Sequence, residues 1–230
     1  NFEKDVKAIT HQKEHVKCIL YQTNCLSIAK DTFRMQDYIC HQTSVPESQM
    51  ELVRNNDNFI ASGPTYPYSI MREYVHLDGT SQKRLGYLEG IALADLFENK
   101  KHIGLTPNMI TAHDDTVIVS LNIQYPPLVI DTVQVAKITD YGFSVITPDN
   151  NNILRNTYIK GNNVYLICSE SPKKAKIRYA VNGTYWKSGN ENGPRGNLRD
   201  SQGDIYKCNI NSKIYRLDNW CYMFDLVCKK

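Results

Sequence analysis

The chain contains no apolar run approaching the roughly 18 residues that a membrane-spanning helix needs, so a membrane span is not expected. It has little charge imbalance. Lysine and arginine total 27 against 24 acidic residues, a net charge of +3, without the basic stripe that nucleic-acid binding leaves, so no nucleic-acid partner is expected. The first residues, Asn1-Phe2-Glu3-Lys4-Asp5, lack the basic start and apolar stretch of a signal peptide, which suits synthesis in the cytoplasm. There is no internal repeat and no long low-complexity linker. The seven cysteines, Cys18, Cys25, Cys40, Cys168, Cys208, Cys221 and Cys228, form no CxxC pair, and their odd number leaves at least one without an intrachain partner. Free buried thiols are the expectation, and no Cys and His cluster has zinc-ligand spacing. No metal or organic cofactor is expected.

What is present is a change of pattern near residue 105. In the first part, Phe2 to about His15 reads as a helix, with Phe2, Val6, Ile9 and Lys13 along one face. Val16 to Gln22 is a short apolar run that suits a buried parallel strand. Ser44-Val45-Pro46-Glu47 opens a helix bearing Met50, Leu52 and Val53, because serine caps and proline is tolerated in the first turn. Asn58 to Ser62 is the next strand, stopped by Gly63-Pro64. A long helix capped by Thr80 or Ser81 runs to about Asn99, with Leu85, Leu88, Ala92 and Leu96 at helical spacing. This alternation is that of an α/β sheet. From about Leu105 onward the chain carries short β-branched and aromatic runs: Thr116 to Ile123, Leu128 to Val135, Gly142 to Ile146, Asn163 to Cys168, Lys176 to Val181 and Tyr222 to Val227. Clusters of Asn, Gly, Asp and Pro separate them, as in an antiparallel sandwich. The predicted division is therefore 1–104 and 105–230, the two parts packed directly together.

The segment Arg72-Glu73-Tyr74-Val75-His76-Leu77-Asp78-Gly79 carries the strongest chemical signal. A carboxylate three residues before a histidine can orient the imidazole through one ring nitrogen and leave the other as a general base. The loop follows a predicted strand and precedes a helix, which places it at the carboxyl end of an open parallel sheet, where active sites collect. Gln22 and Asn24, at a predicted strand end, are candidates to line a substrate cleft. Tyr66, Tyr68 and Tyr74, in the loop before His76, are candidates for a platform on which sugar rings stack. Tyr185-Trp186, in a Gly- and Asn-rich loop from Asn182 to Gly193, offers a further aromatic surface, and Asn182-Gly183-Thr184 matches a glycosylation sequon. In Gly193-Pro194-Arg195-Gly196-Asn197-Leu198-Arg199-Asp200, turn formers flank two arginines and an aspartate, which points to a loop held by ion pairs. His11, His15, His41, His102 and His113 are scattered and carry no assigned role.

Several blocks, taken in order, resemble one family. Tyr21-Gln22-Thr23-Asn24, the helix from Pro46 to Arg54, Asn58 to Pro64, Val75-His76-Leu77 and Arg84-Leu85-Gly86 follow one another as in SGNH (GDSL-like) hydrolases. Within them the chain is most similar to carbohydrate O-acetylesterases related to sialate O-acetylesterase, found in bacteriophage tail proteins and prophages. Pro127 to Thr132, Tyr141-Gly142-Phe143 and Gly193 to Ser201 resemble the β-rich domain that follows the hydrolase core there. The resemblance implies the C-terminal portion of a flavodoxin-like parallel sheet, then an antiparallel, jelly-roll-like β-sandwich. It also implies a serine esterase that removes acetyl groups from a polysaccharide. His76 matches the family's catalytic histidine, and Glu73 stands where the family usually has aspartate. The nucleophile and oxyanion-hole blocks are not found in these residues; Ser27 and Ser44 lack the strand-to-helix glycine turn that exposes a nucleophile. The implied partners are an acetylated polysaccharide and an upstream part of the same polypeptide, or a partner chain, carrying the serine. The implied setting is a virion tail spike, or a bacterial prophage product, with trimeric assembly as the tail-spike pattern. The rival reading is a non-catalytic glycan-binding or structural module on a degenerate esterase fold.

Overall fold

A computed structural model describes residues 2–24, 43–71, 76–183 and 189–228. The first helix, α1 (Phe2–Thr10), is shorter than its apolar spacing predicts. His11 turns into the left-handed region (φ 57°) and the Thr10 hydroxyl bonds back to the Val6 carbonyl, which ends the helix there. None of its residues is buried. Strand β1 (Cys18–Gln22) pairs in parallel with β2 (Phe59–Pro64), Leu20 lying opposite Ala61. Helix α2 (Ser44–Asn55) lies between them in sequence, and α3 (Gly79–Phe97) follows. Both helices pack on the strand pair.

Among the described residues the parallel sheet is these two strands. That is narrower than a whole flavodoxin-like sheet, and the other sheets among the described residues are antiparallel. The helix α3 begins two or three residues earlier than predicted and is capped by Asp78, whose carboxylate accepts the Ser81 N–H at 2.7 Å. Asp is as good an N-cap as Ser or Thr, and its position sets the first turn.

The second half contains β3 (Thr106–His113), β4 (Thr116–Asn122), β5 (Val129–Ile130), β6 (Phe143–Ile146), β7 (Leu154–Lys160), β8 (Asn163–Cys168), β9 (Lys176–Tyr179), β10 (Leu198–Arg199), the short α4 (Gln202–Ile205), β11 (Lys207–Ile210), β12 (Lys213–Arg216) and β13 (Phe224–Val227). One sheet runs β3-β4-β8-β7 and another β13-β9-β6. Alternate residues of β4 and β8 are buried, and they share one core with Phe143, Val145, Ile177, Tyr179 and Phe224 from the three-stranded sheet. That is the inward-facing alternation of a sandwich. The predicted Leu128 to Val135 strand is confined to two residues, because Asp131 receives the N–H groups of Val133 and Gln134 and turns the chain. The five described cysteines are free thiols, four of them buried.

The change of composition near residue 105 is bridged by packing and hydrogen bonds. Met50 and Ala61 share a cluster with Tyr222, and Tyr68, Leu85 and Leu88 share one with Cys208, Ile210 and Leu217. The Gln22 amide bonds across the division to the Met223 carbonyl at 2.9 Å and from the Met223 N–H at 2.8 Å.

Candidate active-site loop

The two parallel strands end side by side, where the Thr65 N–H donates to the Gln22 carbonyl at 3.0 Å. From there the chain makes a narrow excursion before entering α3. Ile70 and Leu77 form an antiparallel bridge. The Met71 N–H donates to the His76 carbonyl at 2.7 Å, and the Asp78 N–H to the Ser69 carbonyl at 3.0 Å. These two hydrogen bonds, which make the Ile70–Leu77 bridge, close the base of a hairpin that carries His76, exposed, on its returning arm. The Gln82 side chain donates to the Leu77 carbonyl at 2.8 Å, which ties that arm to the first turns of α3. His76 therefore stands on the connection that leaves the second parallel strand and enters α3, two residues before the helix cap Asp78. Glu73, Tyr74 and Arg72 lie outside the described residues.

The other candidates have different surroundings. Gln22 is fully buried, and its amide is a clamp: Nε2 donates to the Met223 carbonyl at 2.9 Å and the Pro46 carbonyl at 3.3 Å, while Oε1 accepts the Met223 N–H at 2.8 Å. All its polar capacity faces inward, so it joins β1 to the C-terminal segment and does not line an open cleft. Asn24 is half-buried just beyond β1. Tyr66 and Tyr68 are each 1% exposed, which removes them from any surface platform. The Tyr66 hydroxyl donates to the Cys221 carbonyl at 2.8 Å and meets the Tyr179 hydroxyl at 3.2 Å, with its ring set edge-on against Trp220. Tyr68 lies beneath the Arg84 guanidinium, 4.8 Å from the ring centroid, and burial pushes its hydroxyl up to about 12. Apolar neighbours claimed both rings, a preference that loop position in the sequence does not reveal. Ser27 and Tyr185-Trp186 lie outside the described residues, and Ser44 is the exposed first residue of α2.

The segment from Gly193 to Asp200 is structural, though only partly through ion pairs. Arg199 donates to Asp131 at 2.7 Å and approaches Asp218 at 3.4 Å. Arg195 instead directs its guanidinium at three backbone carbonyls, those of Ala136, Gly193 and Lys137, at 2.7, 2.9 and 3.0 Å. Burial alone would raise the Asp131 carboxyl, but the N–H groups and side chain of Gln134, with Arg199, hold it down to about 2. Asp200 goes the other way: burial pushes it up to about 6 against the donors of Gln202 and Asn219.

One pair escaped the sequence. The Asp95 carboxylate lies 2.8 Å from His102 Nδ1, with side chains 9% and 6% exposed. The available signal is the stripe Leu85, Leu88, Ala92, Asp95, in which a carboxylate occupies a core position and so requires a buried partner. Among the described residues no group of three or more His, Cys, Asp or Glu is arranged to hold a metal, and no helix is long and apolar enough to cross a membrane.

No protein-family model matches the chain, and no curated protein resembles it in sequence. In fold it is similar to a carbohydrate acetylesterase from Xanthomonas citri, with a TM-score of 0.54 at 11% identity. The likeness covers 79% of this chain and 35% of that one, so the chain corresponds to a minor share of that enzyme's length. At this identity the likeness is one of fold.

Proposed function

We propose that this chain supplies the general-base end of a serine-type carbohydrate O-acetylesterase acting on an acetylated surface polysaccharide. The observation that carries the reading is the position of His76: an exposed residue on a hairpin closed at its base, on the connection from a parallel strand to the helix that follows, in a fold similar to part of a carbohydrate acetylesterase. In the proposed reaction a serine from an upstream segment or a partner chain attacks the acetyl carbonyl. His76 takes the serine proton and returns it to the departing sugar oxygen. A water, deprotonated by the same imidazole, then attacks the acyl-serine, releasing acetate and restoring the serine. Glu73, three residues before His76, orients the imidazole and stabilises its protonated form. A tail-spike setting, in which the enzyme trims a host glycan, is the proposed biological context.

The test is labelling of the native assembly with a fluorophosphonate, which marks activated serines, followed by mass spectrometry. We expect a labelled serine outside residues 1–230, with labelling reduced at least about a hundredfold by His76→Ala, the scale of general-base contributions. An assembly that takes up no label would overturn the esterase reading.

One observation favours a second reading, a glycan-binding or structural module. Two serines on the strand and arm that lead into the hairpin are already engaged: Ser62 Oγ donates to the Leu20 carbonyl at 3.2 Å, and Ser69 Oγ accepts the Asn190 amide at 3.0 Å. Saturable binding of an acetylated polysaccharide, with no acetate released, would select it.

A further inference from the structure

The segment 189–193 belongs to the β-rich half, yet it reaches the base of the His76 hairpin. Asn190 Nδ2 donates to Ser69 Oγ at 3.0 Å, and Ser69 is the residue whose carbonyl receives the Asp78 N–H. Next to it Gly189 lies against Tyr66 so closely that an added Cβ would stand 2.0 Å from the Tyr66 carbonyl oxygen. Only glycine allows that approach.

Asn190 is itself held from behind. Its carbonyl accepts the Ala136 N–H at 2.8 Å. The 135–138 stretch is in turn gripped by the motif that follows: Arg195 donates to the Ala136 and Lys137 carbonyls. Asn197 donates to the Val135 carbonyl at 2.9 Å, while its Oδ1 accepts the Ile138 N–H. A continuous path of hydrogen bonds therefore runs from Arg195 and Asn197, through 135–138 and Asn190, to Ser69 and the hairpin. Asn190 Oδ1 is buried without a partner. A buried amide with one unpaired atom carries a penalty that a merely convenient anchor would avoid.

We infer that Asn190 is a positioning residue: the Gly193 to Asn197 motif sets Asn190, and Asn190 sets the hairpin that presents His76. The inference rests on the reading of His76 as the catalytic base and assigns the β-rich half a part in that site. It also accounts for why glycine and arginine stand together in the motif, since Gly196 admits the close approach of Tyr179 and the arginine fixes the carbonyls behind Asn190.

The experiment is amide hydrogen exchange by NMR on the full chain, following Met71 and Asp78, whose N–H groups close the hairpin. Asn190→Ala is expected to speed both about tenfold while Val119, in the centre of β4, is unchanged. Asn190→Asp is expected to restore slow exchange, because the Ser69 hydroxyl can donate to the new carboxylate. The His76 imidazole resonances shift in the alanine variant and return in the aspartate variant, a response that a general loss of stability would not reverse. If Asn190→Ala does not fold, Ser69→Ala removes the same bond from the other side and carries the same expectation. Unchanged exchange at Met71 and Asp78, or an equal rise at Val119, would overturn the inference. Neither result depends on esterase chemistry. The expected exchange pattern in an assembly that takes no fluorophosphonate supports the positioning and sinks only the catalytic reading; labelling with unmoved exchange does the reverse.

Discussion

In the antiparallel half, Val117, Val119 and Leu121 of β4 and Val164, Leu166 and Cys168 of β8 alternate inward and meet one another's core. In the parallel pair, Cys18, Ile19 and Leu20 of β1 are only half-buried, and burial is concentrated at Gln22 and at Ala61 to Pro64. The first region makes its own interior. The second borrows one: Ala61 lies with Tyr222, Tyr66 with Tyr179 and Trp220, and Tyr68 with Leu217. Two parallel strands with two helices bury too little apolar surface to order themselves, so the loop that presents His76 depends on side chains more than a hundred residues away.

The sharpest way to break that comparison is Tyr222→Ala. The ring packs with Met50 and Ala61 and stands against Gly104, where an added Cβ would come within 2.5 Å. Its removal is expected to cost about 4 kcal/mol, in the range for large aromatic truncations. In urea titrations followed by NMR, β1–β2 and β4–β8 signals should be lost together. Separate transitions would show that the parallel pair does not share the stability of the sandwich.

Next in size is the pH response of Asp200, at the junction of β10 and α4. Its carboxyl is pushed from 3.8 to about 6, so the folded chain keeps a proton that the unfolded chain releases. Its contribution is fully present below pH 3.8 and is lost as pH rises through 6, up to about 3 kcal/mol on a 1.4 kcal/mol per unit scale. Asp131 has the opposite sign: held at about 2, it stabilises above pH 3.8 and loses that contribution as pH falls toward 2. Between pH 4 and 6 Asp200 is thus the one of the two that titrates. Denaturation across that window should show stability falling as pH rises, and Asp200→Asn should flatten the curve.

The smallest of the three effects is Gln22→Ala. It leaves the Met223 N–H and carbonyl buried without their partners, at an expected cost of about 2 kcal/mol in chemical denaturation. The loss should appear in the parallel pair first, as faster exchange at Thr65, whose N–H bonds to Gln22. A uniform loss across both regions would remove the distinction between a self-sufficient core and a borrowed one.

What the sequence revealed follows the same division. Strands β4 and β8 were visible because alternation and burial coincide there, and α3 because its apolar stripe has a helical period. Strand β3, whose residues Met109 and His113 are exposed, lacks that alternation and passed unnoticed, as did the short β11–β12 hairpin. At the site, the loop bearing His76 was legible from strand, histidine and helix in order. The inward roles of Gln22, Tyr66 and Tyr68 were not, because each depends on a partner from the far end of the chain: Met223, Cys221 and Leu217. Asn190 was invisible for the same reason. A single asparagine in a loop carries no period, and its meaning lies in Ser69 across the fold.

The bonds that join Ser69 to Asp78 and Met71 to His76 close the hairpin below its tip. A loop closed at its base is nearly insensitive to what is inserted beyond the closure, since lengthening it adds only a slowly growing entropy. The register between the arm bearing His76 and α3 is therefore set at the base itself, by Ser69, Met71 and Asp78 together with the bond from Gln82 to the Leu77 carbonyl. The hairpin base thus acts as a clasp, and whatever His76 meets, it meets from an arm fastened to the frame of the fold at both of its ends.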